Sequence, residues 1–138
     1  MSKPDSQQRG LAGEYYVAFT LSRLGYDIAI TIARAKIIDM MASGISGKTI
    51  RIQVKSTYVG YDWLVPDVLD SSKDYIVALV RLGKNPAQPP ELYLLPGVKA
   101  NELITHKYVK HSARISRAAV MKKYQDHDLR LIDKLLEG

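Results

Sequence analysis

The stretch Lys36-Ile37-Ile38-Asp39-Met40-Met41-Ala42-Ser43-Gly44-Ile45-Ser46-Gly47-Lys48-Thr49-Ile50-Arg51-Ile52-Gln53-Val54-Lys55 decides the fold. Its second half alternates cleanly. Ile50, Ile52 and Val54 fall on one face, and Thr49, Arg51, Gln53 and Lys55 on the other, as in a half-buried strand. The first half, Lys36 to Ser43, reads as an apolar strand, and Gly44 to Gly47 carries turn chemistry. Directly opposed residues in a hairpin have a constant sum of residue numbers. If Gly44 pairs with Lys48, the loop is Ile45-Ser46-Gly47, with Gly at the left-handed position that such loops favour. That register sets Asp39 opposite Gln53 and brings Asp39, Gln53 and Lys55 onto one patch. A two- or four-residue loop turns Asp39 to the other face.

Asp39 is out of character with its neighbours. Asp is depleted in strands, and a carboxylate among apolar side chains is costly unless it is paired or holds a metal. An edge-strand Asp facing water gives the same pattern. Gln53 and Lys55 share a face because strand side chains alternate, as they also do on any solvent-facing strand.

Upstream, Gln7 to Leu24 reads as a helix with no internal Pro, capped by Ser6 or Asp5 and stopped by Gly25. Gly10, Glu14 and Ala18 share one face of it, with Gly13 and Val17 beside them. Small residues around Glu14 let the helix backbone approach its packing partner closely, which delivers Glu14 to the sheet patch. The other reading is an ordinary surface Glu. Ile28 to Ala33 is a short strand. Downstream, Trp63-Leu64-Val65 is a brief strand and Asp74 to Leu82 a strand buried on both faces. A Pro-rich loop, Gly83 to Pro90, precedes a strand from Glu91 to Leu95. Val98 to Lys107 and Asp126 to Glu137 read as helices. The order is helix, three-strand antiparallel meander, further strands, then helices: one mixed α/β domain with a central sheet flanked by helices.

Composition agrees. The 138 residues suit one domain, and 46% hydrophobic with 25% charged residues is a globular balance. No apolar run approaches the ~20 residues that cross a bilayer. The first eight residues have no apolar core of a secretory signal, so a cytoplasmic protein is expected. With no cysteine, disulfide scaffolds, thiolate zinc sites and thiol catalysis are excluded.

The net charge is +6. The excess is local: from Leu103 to Gln125 there is no acid, and Lys107, Lys110, Arg114, Arg117, Lys122 and Lys123 supply six bases. A basic segment on a neutral body suits a polyanion, and equally a solvated helix kept soluble by its charge. Arg34, Lys36 and Arg51 add to the same field.

Gly10-Leu11-Ala12-Gly13-Glu14 with Leu21 and Gly25, then Asp39 on a strand, then Gln53-Val54-Lys55, resembles the PD-(D/E)xK nuclease-like superfamily. It is most similar to the small resolvase-like and homing-endonuclease-like branch. The resemblance covers Gln7 to Lys55 by motif, and extends to the strands between Asp74 and Pro96. It implies a single restriction-endonuclease-like domain over residues 1–138, with Glu14, Asp39, Gln53 and Lys55 as the catalytic set. Two departures stand out. Ile38, not Pro, precedes Asp39, and Gln53 replaces the usual Glu or Asp.

On that resemblance, the activity is metal-dependent hydrolysis of phosphodiester bonds in DNA. Mg²⁺ or Mn²⁺, a hard cation that takes oxygen ligands, would meet the Asp39 carboxylate, the Gln53 amide oxygen and the Val54 carbonyl, with Glu14 direct, through water or on a second ion. Losing one negative charge at Gln53 weakens metal binding. Lys55 would orient the attacking water or stabilise charge on the phosphate. The six bases between 103 and 125 would hold the nucleic-acid backbone. Cutting both strands needs a homodimer or higher homo-oligomer. Two alternatives stay open: a weak or inactive nucleic-acid-binding module on the same fold, and a protein-interaction subunit.

Overall fold

The computed structural model describes residues 2–31, 39–106 and 113–124. The first helix, α1, runs from Ser6 to Arg23. Asp5 caps it: its carboxylate accepts from the Gln8 backbone N–H while the Gln8 side chain reaches back to the Asp5 N–H. Gly25, at φ +94°, takes the left-handed conformation that ends the helix. α1 buries Gly13, Val17 and Leu21.

The strands follow as β1 (Asp27–Ile30), β2 (Met40–Ser43), β3 (Thr49–Tyr58), β4 (Trp63–Leu64), β5 (Tyr75–Leu82) and β6 (Glu91–Pro96). After them come α2 (Gly97–Asn101), β7 (Thr105–His106), β8 (Ala113–Ile115) and α3 (Arg117–Met121). The central sheet has the order β1-β2-β3-β5-β6. β1, β2 and β3 form the antiparallel meander, β3 and β5 run parallel, and β6 returns antiparallel. A parallel pair needs a crossover; here residues 59–74 supply it, carrying β4 and no helix. β4 joins β8 and β7 in a second, three-stranded sheet.

The central sheet is apolar on both faces. Val17 and Leu21 of α1 pack on Ile50, Ile52, Val54, Ile76, Ala78 and Val80. The opposite face packs Tyr75, Val77, Leu79, Tyr93 and Leu95 against Trp63, Ala100, Ile115 and Val120. β5 sits between the layers, and Tyr75 through Val80 are all buried, as its unbroken apolar run requires. Trp63 is fully buried within the chain; its indole N–H donates to the Val80 carbonyl at 2.9 Å and its ring meets Tyr93 edge-on.

Three expected boundaries differ. β3 runs on to Tyr58, three residues beyond Lys55. β1 starts one residue early, at Asp27, and is described to Ile30; the end of the expected Ile28-to-Ala33 strand and the start of the expected Lys36-to-Ser43 strand fall in residues 32–38, outside the described set. The helix expected from Val98 to Lys107 stops at Asn101. The Asn101 amide clasps the Leu69 backbone N–H and C=O, both at 2.7 Å, and Thr105-His106 then pairs with Ala113-Arg114 as strand. Long-range pairing overrides local helix propensity there. The basic stretch from 103 to 125 is therefore not one solvated helix. The helix expected over Asp126 to Glu137 lies outside the described residues.

Candidate active site at the β2–β3 hairpin

The hairpin adopts the three-residue loop. Ser43 pairs with Thr49 and Met40 with Ile52, the register that places Asp39 level with Gln53. Gly47 has φ +82° and its N–H returns to the Gly44 carbonyl at 3.0 Å.

Asp39 is the residue before β2 and is 7% exposed. Its backbone N–H donates to the Ile52 carbonyl, and its own carbonyl accepts from Thr31. Its carboxylate Oδ2 accepts the Val54 backbone N–H at 2.6 Å.

Among the described residues that contact marks a split in the pairing: β2 meets β3 as far as Ile52, whereas β3 continues to Tyr58. The Arg51 and Val59 N–H groups bond toward β5, to Asp74 and Leu82. By strand alternation the even-numbered backbone groups of β3 face the β2 side. The Val54 N–H and C=O thus both point to the side where Asp39 lies.

Gln53 is 9% exposed, on the face opposite α1, and its Oε1 accepts from the Tyr75 hydroxyl at 2.8 Å. Burial, reinforced by the negative charges of Asp70 and Asp39, pushes the Tyr75 phenol up to about 12. Tyr75 therefore stays protonated and holds the Gln53 amide with its carbonyl as acceptor. Lys55 follows on the same face, half-buried, with no ion-pair partner among the described residues.

Glu14 approaches from the other layer. α1 packs on the Ile50, Ile52 and Val54 face, so Glu14 does not share a face with Gln53 and Lys55. The close approach of helix to strand occurs next to it, at Gly13: a Cβ there would collide with the Ser56 hydroxyl and lie 3.5 Å from Val54 Cγ1. Gly10 has open space and plays no such part. Glu14 thus follows the Gly13 contact on the α1 side of the sheet, across it from Gln53.

The basic residues divide. Arg114 is half-buried on β8, and Lys122 and Lys123 are exposed just past α3. Arg117 is committed within the fold: its guanidinium donates twice to Glu91, both at 2.7 Å, and holds that carboxyl below its usual range. Arg51 is likewise engaged, with Asp74 and Asp70 at 3.0 Å each, above the Tyr75 ring. Both give less to an external polyanion than their positions in the sequence suggest. Lys107, Lys110, Arg34 and Lys36 lie outside the described residues.

Tyr75 is the site residue that sequence reading missed. Its only signal is a hydroxyl-bearing aromatic at the head of an aliphatic strand. Among the described residues no three Asp, Glu, His or Cys side chains gather as a metal-binding group. The donors at the split are Asp39, the Gln53 amide oxygen and the Val54 carbonyl. They are all oxygen and include one carboxylate, a set that fits a hard divalent cation.

No protein-family model and no curated protein matches the chain. Among solved structures, a bacterial homing endonuclease, I-Ssp6803I, is similar in fold. Its TM-score is 0.52 at 12% identity, over 82% of this chain and 75% of that one. The fold is nuclease-like. No described helix is long and apolar enough to cross a membrane.

Proposed function

We propose that the chain is a metal-dependent DNA endonuclease of PD-(D/E)xK type, acting in the cytoplasm, with Gln53 in place of the second acid and residues 1–138 as one such domain. The observation that carries this reading is the register that sets Asp39 level with Gln53, with the Asp39 carboxylate on the Val54 N–H between Gln53 and Lys55. The nuclease-like fold supports it.

In this reading Asp39 supplies the full negative charge, and its bond to the Val54 N–H fixes the carboxylate direction. Gln53 supplies a neutral oxygen, held by Tyr75. The Val54 carbonyl adds a backbone oxygen, and Glu14 adds charge from the α1 side. Mg²⁺ or Mn²⁺, when bound, polarises the scissile phosphate and lowers the pKa of an attacking water. Lys55 places a positive charge beside the phosphate, where charge accumulates as the bond breaks. Lys122 and Lys123, with Arg114, contact backbone phosphates of the DNA. One site per chain cuts one strand, so duplex cleavage calls for two copies or more.

A second reading has its own support. Asp39 and Gln53 bring one full negative charge between them, and the Gln53 oxygen already accepts from Tyr75. These features suit a DNA-binding module with a weak or silent site.

The deciding experiment is cleavage of labelled linear, single-stranded and branched DNA with Mg²⁺ or Mn²⁺. Wild type, Asp39→Asn and Lys55→Ala are compared. Cleavage that both substitutions abolish with folding intact upholds the nuclease. Salt-sensitive binding without cleavage on any substrate selects the binding module.

A further inference from the structure

Beyond Lys55, β3 leads into a cleft of about 430 Å³. Ser56, Thr57 and Tyr58 of β3 and the start of α1 line it. Three cations converge there from separate parts of the chain: Lys3 ahead of α1, Arg9 in its first turn and Arg114 on β8, against one acid, Asp62. Sequence reading placed the positive field in residues 103–125; Lys3 and Arg9 lie outside that segment.

The cleft is built, and its cations are held in place. Lys3 Nζ donates to the Tyr61 hydroxyl at 3.2 Å and stands 4.3 Å from the Tyr61 ring centre and 5.3 Å from that of Tyr58. Arg9 Nη1 donates to the Pro4 carbonyl at 2.8 Å, which fixes the arm and leaves the remaining N–H groups of the fork to point elsewhere. The Tyr61 ring remains 59% exposed, a flat surface at the mouth. Fixed cations beside an aromatic face suit a sugar-phosphate backbone better than they suit an isolated anion.

Spacing connects the cleft to the candidate site. Three strand residues separate Lys55 from Tyr58, about 10 Å at ~3.3 Å each. The ~3.4 Å rise of duplex DNA is measured along the helix axis; the backbone winds around that axis, so neighbouring phosphates of one strand lie about twice as far apart and one to two nucleotides span that distance.

We propose that Lys3, Arg9 and Arg114 seat a backbone phosphate of the DNA strand one to two nucleotides from the phosphate at Asp39 and Lys55. This rests on the nuclease reading for its substrate and adds a footprint to it. The strand then runs alongside β3 from Lys55 toward Tyr58, entering over Tyr61. The seat is separate from Lys122 and Lys123 and acts through charge, not through base recognition.

The test is metal-free binding of a labelled DNA duplex across a salt series, with single neutral methylphosphonates walked along one strand. Wild type is compared with the double variant Lys3→Gln, Arg9→Gln and with Arg114→Gln. Circular dichroism checks that each is folded. The seat predicts that the double variant, by losing one phosphate contact, flattens the slope of log K against log salt by about 1. It also predicts that one methylphosphonate position weakens wild type about 10-fold but leaves the double variant indifferent. Arg114→Gln, which does not touch the N-terminal arm, must lose sensitivity at the same position. Unchanged slope and unchanged interference, with DNA still bound, overturn the seat alone and leave the nuclease reading standing. Absence of DNA binding by wild type overturns both.

Discussion

The Asp39 carboxylate accepts the backbone N–H of Val54 at 2.6 Å, one side-chain bond beyond the last described rung of the β2–β3 ladder. A buried carboxylate needs such a donor, and the Val54 N–H needs such an acceptor. The one contact meets both needs and holds Asp39 beside the Val54 carbonyl.

Asp39→Asn keeps an acceptor for the Val54 N–H but removes the charge. Its expected result is a stable fold and at least a roughly 100-fold loss of metal-dependent cleavage. Asp39→Ala instead leaves that N–H buried without its partner and costs about 1–3 kcal/mol in urea denaturation. Equal stability of the two variants would refute the structural half of this role.

Gln53→Glu adds a second negative charge next to Asp39. Divalent-metal affinity follows ligand charge. Isothermal titration with Mn²⁺ should show binding tightened about 10-fold, with cleavage rising alongside. Unaltered metal affinity would remove Gln53 from the donor set.

Tyr75→Phe takes away the donor that orients the Gln53 amide. The expected cost is about 1 kcal/mol of stability, and a 10- to 100-fold weaker metal affinity of the kind that loss of a supporting hydrogen bond produces. There is also a pH signature. The folded phenol is raised above its unfolded value of 10, so its stabilisation is complete below pH 10 and is lost as pH climbs through about 12. Thermal melts over that range should fall steeply for wild type and less steeply for Tyr75→Phe.

Gly13→Ala drives a methyl group into the Ser56 hydroxyl. Overpacking of this kind costs about 1–3 kcal/mol. Adding Ser56→Ala relieves the nearest clash, though the Ser56 Cβ stays 3.1 Å from the new methyl, so recovery is partial. A double-mutant cycle measures the coupling; strict additivity would mean α1 does not rest on β3 at this point.

Arg117 and Lys122 should separate stability from DNA affinity. Arg117→Gln breaks the Glu91 pair and lowers Tm with little change in DNA binding, whereas Lys122→Gln weakens binding at constant Tm. The pair also makes stability pH-dependent. Glu91 titrates below its usual 4.5 in the fold, so its contribution is present above that pH and is lost as pH falls through the lower folded value. Glu91→Gln should flatten the acid limb of a Tm–pH curve.

The hairpin that carries the candidate residues was legible in local chemistry. The period-two alternation of residues 49–55 assigns faces, and one glycine, Gly47, selects the loop that sets Asp39 against Gln53. Hairpin register depends on a few adjacent residues, so the sequence alone determines it. The capped first helix and the buried central strand are local in the same sense.

Tertiary structure decided what depends on residues far apart in the chain. Tyr75 reaches Gln53 only because β5 lies parallel to β3, and Arg117 finds Glu91 only because α3 packs beside β6. The helix expected to Lys107 ends at Asn101 because a loop more than thirty residues earlier accepts its amide. Which layer α1 covers, and hence the side from which Glu14 approaches, follows from packing one helix on a sheet apolar on both faces. Alternation along one strand separates two faces but does not say which of them a distant helix will cover.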